Sequence, residues 1–344
     1  MNGFGKTAVR RLAALVVVSS MALTACGVDA GAAPAPSAGS PISITVAEQG
    51  IAGISAGMPA HIADELGFFK EEGLAVEFVV VTKGSDALSG LMSDAVKIFH
   101  GADGMIAASE GGGVVGIGAL TDRSIWTLVA NKKIANWADL EGETIALSST
   151  SDVTRSVFNK VAGQGGVDPT KVDYVALGAP SQRVTAVKNG QATATFTTYP
   201  SAESALKEGL NNLGFSPAGV EVPAMVTSEI VASKAWAQKN PEQVQAYLRA
   251  IRKSLDYVKD PKNAEDVAKI VSKLNKEPTE SILKALDIYY LNPAQVGYFP
   301  DDFRHMEGAF DATVKAYQEL GLMRKTITEA EYMDYSFADA ALGR

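Results

Sequence analysis

Cysteine is nearly absent: Cys26 is the one thiol in 344 residues. A single cysteine closes no intrachain disulfide and builds no cysteine metal site. Histidine is almost as sparse, at His61, His100 and His305, and no histidine pair stands with a glutamate at zinc-protease spacing. No complete phosphate-binding loop is present either. Excess positive charge is missing as well: 31 Lys and Arg stand against 39 Asp and Glu, a net charge of -8. That balance speaks against nucleic acid or acidic membrane surfaces as partners. Beyond Cys26 no apolar run reaches the roughly 20 residues of a membrane-spanning helix. The expectation is a protein that is not an enzyme and carries no cofactor or metal.

What is present begins at the N-terminus. Lys6, Arg10 and Arg11 lead into RLAALVVVSSMALTAC at 11–26, an apolar stretch short for a span and ending in small residues. This is the pattern of an export signal. Leu23-Thr24-Ala25-Cys26 resembles the bacterial lipobox, in which a diacylglyceryl thioether forms on the cysteine and the chain is cut before it. Residues 1–25 then form a signal peptide, and Cys26 carries the lipid. Cutting there removes three cations and no acid, so the charge of -8 becomes -11 and no free thiol is left. The following GVDAGAAPAPSAGS buries no face, so 26–40 reads as a flexible tether. A body of about 300 residues divides into two domains.

Past the tether, strand and helix alternate. ISITVA at 42–47 is a β-branched run before the glycine-bearing loop EQGIAGISAG, and MPAHIADELGFFKEEG reads as one helix closed by glycine. LAVEFVVV at 74–81 reads as a strand buried in a parallel sheet. A helix at 85–92, a strand at 96–99, a short helix from Asp103 and a strand at 114–120 complete a first round. A second runs from Trp126 to Glu208. The class is α/β. DALSGLMSDAVKIFHGAD and SQRVTAVKNGQATATFTTYP align as equivalent helix-to-strand units, setting His100-Gly101 opposite Thr197-Thr198 just past two strand ends. Open α/β sheets bind ligands at that edge, so two lobes facing a common cleft are expected.

After MVTSEIVAS at 225–233 the chain turns helical. Asn240-Pro241 opens a helix with Val244, Tyr247, Leu248, Ile251, Leu255 and Val258 at helical spacing, and further helices are expected at 263–274, 279–290 and 301–320. The expected organisation is lobe one at 41–123, lobe two at 124–222, and a return to lobe one with C-terminal helices at 223–344. Two strand-like crossings would form the hinge.

PAHIADELGFFKEEGLAVEFV, NGQATATFTTYPSAESALKEG and NPEQVQAYLRAIRKSLDYV resemble the substrate-binding lipoproteins of bacterial ABC importers. The resemblance covers residues 42–260 and is strongest to the branch of sulfonate, taurine and nitrate binders and the pyrimidine binders related to thiamine biosynthesis (NMT1/THI5-like). It implies a two-lobed periplasmic-binding-protein fold of type II, with a two-strand hinge and a helical C-terminal section packed on lobe one. It also implies capture of a small molecule for an ABC permease and ATPase by a monomer on the extracytoplasmic face of the membrane. Pyrimidine synthases share the fold, but their cysteine-rich iron motif is missing here.

The candidate ligand residues follow. Where the family often has a glycine-rich loop, this chain has Ser148, Ser149, Thr150, Ser151 and Asp152. Hydroxyls and free amides at a helix start suit a carboxylate or sulfonate, helped by about 0.3–1 kcal/mol from the helix dipole. Ser151 or Asp152 serves equally well as a plain helix cap. His100 either meets the cleft or bonds the loop beside it; Asp103 or Asp152 suits an amine. Trp126 and Tyr199 either stack on a planar ligand or belong to the core. Thr198 sits at a strand end, and Ser55 and Met58 occupy the first loop, where the resemblance places a contact. His61 and His305 read as structural residues within helices. The expected function is capture of a sulfonate, carboxylate or zwitterion in the interlobe cleft. The alternatives are an uncharged aromatic heterocycle such as a pyrimidine or flavin-type precursor, or a membrane-tethered sensor.

Overall fold

The structure, a computed structural model, describes residues 41–49, 56–81, 83–150, 153–177, 180–292 and 299–344. Cys26, Ser55, Ser151 and Asp152 lie outside the described residues. Ser40–Arg344 forms one compact unit holding two five-stranded sheets.

The first round of alternation gives β1 (Ile42–Gln49), α1 (Met58–Glu65), α2 (Phe68–Glu71), β2 (Leu74–Val81), α3 (Gly84–Met92), β3 (Ile98–Gly101), α4 (Gly104–Ser109) and β4 (Val114–Arg123). The second gives β5 (Trp126–Ala130), β6 (Thr144–Leu147), α5 (Val153–Gln164), β7 (Asp173–Ala176), α6 (Pro180–Lys188), β8 (Ala194–Thr198), α7 (Tyr199–Lys207) and the two-residue β9 (Asn211–Asn212). β10 (Ala224–Ser233) returns to the first sheet. α8 (Lys234–Lys239), α9 (Pro241–Lys259), α10 (Ala264–Asn275), α11 (Thr279–Leu286), α12 (Ala309–Glu319), α13 (Glu329–Tyr332) and α14 (Ser336–Ala341) follow.

The sheet orders are β2-β1-β3-β10-β4 and β7-β6-β8-β5-β9. They superpose position by position. In each, three parallel strands are followed by a strand that runs antiparallel to the central one. α3 with β3 and α6 with β8 hold equivalent places, as the aligned segments predict. The sheets are linked twice, through Ser124–Ile125 between β4 and β5 and through 213–223 between β9 and β10.

Each lobe is three layers deep. One face of the first sheet packs on α1, α2, α9, α10, α11 and α14, the other on α3, α4, α12 and α13. α9 buries all six apolar residues whose spacing predicts its inner stripe. In the second lobe Phe158 and Val161 of α5 cover one face of the sheet, while α6 and α7 cover the other. The C-terminal helices also reach lobe two: Ala316 of α12 joins the α5 core, and Lys284 of α11 holds Glu203 of α7 at 2.6 Å.

Three local expectations change. The helix expected over MPAHIADELGFFKEEG breaks in two because Gly67 takes a left-handed φ of 78°, which reverses the chain before α2. β2 pairs in parallel as expected but is an edge strand with only Leu74 fully buried; its apolar run has one neighbouring strand and packs partly on both faces, Val76 and Phe78 on one and Val79 and Val81 on the other. The helix expected over 301–320 begins at Ala309; residues 301–308 form a strap in which Phe303 has φ 60° and its carbonyl accepts from the Ala119 amide at 2.7 Å. His305 therefore lies in a loop and not in a helix.

The start of α4 is tightly enclosed. A Cβ on Gly104 would lie 2.1 Å from Tyr332 Oη and 2.8 Å from Val231 Cγ2, and Tyr332 is itself held by Glu229 at 2.6 Å. Gly104→Ala should therefore lower stability by about 1–3 kcal/mol through overpacking. Denaturant unfolding with an unchanged slope and a lower midpoint would show it; an unchanged midpoint would mean that α4 shifts freely.

Candidate binding site

Parallel strands end together, so the carboxyl edges of β1 and β3 in one lobe and of β6 and β8 in the other form two rims. The rims meet. Val153, which opens α5 after β6, packs against the α3 and α4 side of lobe one. Trp126 and Tyr199, at the start of β5 and the end of β8, pack against its α1 and α9 side.

On the lobe-one rim, β1 places Ile44, Val46 and Glu48 on one face, two core residues and then a carboxylate. In the parallel register Glu48 lies beside His100. Both are nearly inaccessible, at 3% and 5% exposure. Glu48 Oε1 is 2.5 Å from His61 Nε2 of α1, and the His61 ring stacks on Phe78 at 4.1 Å. His100 Nε2 is 2.9 Å from the Tyr247 hydroxyl of α9. Burial, helped by the nearby His61, pulls the His100 pKa down to about 3, so the ring is neutral at physiological pH. Burial likewise pushes the Tyr247 phenol well above its ordinary value. Among the described residues, Glu48 Oε2 and His100 Nδ1 have no hydrogen-bond partner. Leaving such atoms empty costs about 1–3 kcal/mol each.

Asp103 stands where α4 begins, half-buried, within 3.4 Å of Gln49 Nε2. Gly84 is pressed so closely against it that a Cβ there would lie 1.7 Å from Asp103 Oδ2. The carboxylate thus sits at the start of α3, where it favours the helix dipole. Met58 is the first residue of α1 and is buried in the core at 1% exposure.

On the lobe-two rim, Ser148 Oγ is 2.8 Å from Thr154 Oγ1, and Arg155 donates to the Thr150 carbonyl at 2.7 Å while its guanidinium covers the Tyr174 ring. Arg155 therefore braces the loop from behind. Ser148, Ser149 and Thr150 are half-buried. Thr198 precedes α7 in extended conformation, and the buried Thr197 Oγ1 beside it has no partner among the described residues. The Tyr199 amide donates to Tyr289 Oη, which in turn donates to the Ile125 carbonyl at the crossing. The Trp126 ring lies 6.1 Å from Phe196.

Gly53-Ile54-Ser55-Ala56-Gly57 spells the letters of a hydrolase nucleophile elbow, but Gly53, Ile54 and Ser55 lie outside the described residues. Glu48 belongs to the rim and His61 and Tyr247 support it from the helices beneath, whereas sequence patterning assigns no role to Glu48, places Tyr247 on the inner stripe of its helix and reads His61 as structural. The available signal was an acidic residue at an inward position of an alternating strand.

The hinge carries its own charged network. Asp122, at the end of β4, accepts from His305 Nδ1 at 2.7 Å and from the Met306 amide at 2.6 Å. His305 Nε2 faces Glu229 Oε2 of β10 at 3.5 Å, a charge contact without a good hydrogen bond. All three side chains are fully buried. Burial alone would lower the His305 pKa, but the hydrogen bond to Asp122 and the attraction of both carboxylates, Asp122 and Glu229, outweigh it and raise it to about 10. Burial raises Glu229, opposed by His305. Among the described residues no group of three or more His, Cys, Asp or Glu side chains is arranged to hold a metal ion, and no helix is long and apolar enough to cross a membrane.

A family model described as NMT1/THI5 like matches residues 56–264. A formylaminopyrimidine-binding protein of Halalkalibacterium halodurans is 25% identical over 214 residues, 60% of this chain and 64% of that protein. YtlA of Bacillus subtilis is 24% identical over 218 residues, 61% of this chain and 64% of that protein. The match thus spans 64% of the length of these curated relatives. Among solved structures, the alkanesulfonate-binding protein SsuA of Xanthomonas axonopodis pv. citri, bound to MOPS, has a TM-score of 0.66 at 16% identity, covering 86% of this chain and 99% of its own. The desulfurization enzyme DSZB shares the architecture at a TM-score of 0.57 and 13% identity, covering 87% and 99%. The fold is that of the periplasmic binding proteins. One enzyme among such neighbours shows that the architecture alone decides no activity.

The His305 pKa yields a test with a definite sign. Its folded value lies above the unfolded 6.5, so its stabilising contribution is complete below pH 6.5 and is lost as pH rises through about 10. His305→Gln should melt earlier than the unaltered protein at pH 7, and the gap should narrow toward pH 10. A gap independent of pH would mean that the ring is neutral.

Proposed function

The chain belongs to the NMT1/THI5-like family, and from that premise we propose that it is the solute-binding component of an ABC import system. The observation that carries this reading is the meeting of two matched strand-end rims across a two-strand crossing. Such a cleft needs no chemistry on its ligand. A solute that touches both rims binds the closed form better than the open one, and that differential affinity shifts the hinge toward a shape a permease recognises. The ligand class is a sulfonate, carboxylate or zwitterion whose acidic end is taken by Ser148 to Ser151, ahead of α5. The name of the Xanthomonas neighbour supports that class. A planar heterocycle lodged between Trp126 and Tyr199 is the second reading, favoured by the half-buried placement of both rings and by the name of the Halalkalibacterium relative. The protein works as a monomer on the extracytoplasmic face, tethered through a lipid on Cys26.

Thermal unfolding of the purified protein against sulfonates, amino acids, aromatic carboxylates, pyrimidines and flavins tests capture. A ligand at a hundred times its dissociation constant should add about 2.7 kcal/mol of stability. Ser149→Ala and Ser151→Ala should weaken an acidic ligand without altering the unliganded midpoint; unchanged affinity in both removes the loop from the site. Anchoring is tested separately by radiolabelled palmitate: label should enter the membrane-bound chain and be absent from Cys26→Ser, and equal labelling of both would exclude that cysteine.

A further inference from the structure

Buried polar atoms without partners are scarce in folded proteins, and two side by side at a binding rim mark the place of an absent partner. Glu48 Oε2 and His100 Nδ1 are such a pair. They come from neighbouring parallel strands in direct register, one residue before the end of each, so both side chains leave the same face of the sheet. The rest of each group is engaged: His61 takes Glu48 Oε1, and Tyr247 takes His100 Nε2. These contacts come from helices packed on that face and fix both side chains, which leaves one oxygen and one nitrogen uncommitted beneath the rim. Ser254 Oγ on α9 and Glu277 Oε2 between α10 and α11 lie away from the strand ends, whereas Thr197 Oγ1 is a further unpartnered atom among the described residues, one residue before the end of β8 on the opposite rim.

We propose that Glu48, with His100 beside it, sets the specificity of the interlobe site, and that the captured solute offers an N–H donor, an amine or an amino-substituted nitrogen heterocycle, to Glu48 Oε2. The inference rests on the solute-binding reading and sharpens it. An acidic solute held at Ser148, Ser149 and Thr150 would then be a zwitterion, with its nitrogen at the lobe-one rim. Asp103 is the less suitable receiver for that nitrogen, because its carboxylate is lodged against Gly84 at the start of α3 and faces Gln49. The neutrality of His100 fits the same role, since an imidazolium would repel an ammonium group. The proton on His100 distinguishes the two sources of N–H. With Nε2–H donating to Tyr247, Nδ1 accepts, and two acceptors suit an amine. With the Tyr247 hydroxyl donating, Nδ1–H donates, and an acceptor beside a donor suits the edge of an aminopyrimidine.

Matched probes test this: taurine against ethanesulfonate, β-alanine against propionate, and 4-aminopyrimidine against pyrimidine, each titrated into the purified protein by calorimetry and thermal shift. In at least one pair the amino member should bind about tenfold tighter or more. Glu48→Gln, which turns an N–H toward the ligand nitrogen in place of an acceptor, should reduce that preference to near unity. The taurine and β-alanine arms report an amine; the third reports a heterocycle. Equal binding within every pair overturns the inference and leaves solute capture standing, as would be seen if the niche held only water. A preference that survives Glu48→Gln overturns the assignment to Glu48. If no probe binds, the solute-binding reading fails for these classes and the inference falls with it. Should Glu48→Gln fail to fold, the comparison within pairs on the unaltered protein still decides the N–H requirement.

Discussion

The pairing of β10 between β3 and β4 constrains the molecule more than any other contact. β4 leaves the first sheet and β10 re-enters it as its nearest neighbour, antiparallel and buried along nearly its whole length. The segment between them must therefore leave and return at one place, and it does so as a complete second sheet. Two adjacent crossings follow from that pairing. So does the hinge, because two strands side by side bend together more easily than they shear. The crossings are also tied down, with Thr227 Oγ1 donating to the carbonyls of Thr121 and Arg123 and Tyr289 Oη to that of Ile125.

Two of the three histidines show how environment decides charge. His100 and His305 are both buried beside strands of the first sheet. His100 faces a phenol and lies near another histidine, so desolvation prevails and the ring is neutral. His305 lies between two carboxylates and keeps its proton against the same desolvation. The neutral ring stands at the rim, where an arriving group would meet it. The charged ring is locked behind the crossing, where the strap at 301–308 meets both hinge strands. A buried cation between two acids resists removal of any one member, which suits a joint more than a pocket.

Much of the fold was legible because it rests on local pattern. Alternating strands and helices, the helical spacing in α9 and the likeness between the two helix-to-strand units are properties of neighbouring residues, and the structure reproduces them. The errors came where distant contacts override local preference. Residues 301–308 carry helix-compatible side chains but are drawn out by Asp122 and Ala119 of β4. LAVEFVVV is apolar enough for a buried strand, yet its position at the sheet edge follows from strand order, which spacing does not encode. The residues that the sequence marks for the site are mostly hydroxyls in loops. Ser148 proved to share its oxygen with Thr154 at the start of α5. Glu48 was overlooked in a strand because its partners, His61 and the neighbouring His100, lie 13 and 52 positions away in the chain and meet it only after folding.

The place of β10 also bears on the order in which the chain can fold. The second sheet is built from residues 126–212, all contiguous, whereas the first remains open between β3 and β4 until residue 224 arrives. Contacts between segments far apart in sequence form slowly, since the loop between them must first be closed. During synthesis the second sheet is thus the one that can complete itself, while the N-terminal half of the first waits with the apolar flank of β3 uncovered. Agents that hold unfolded chains would meet that strand first. The lobe that begins the sequence is the last to be finished.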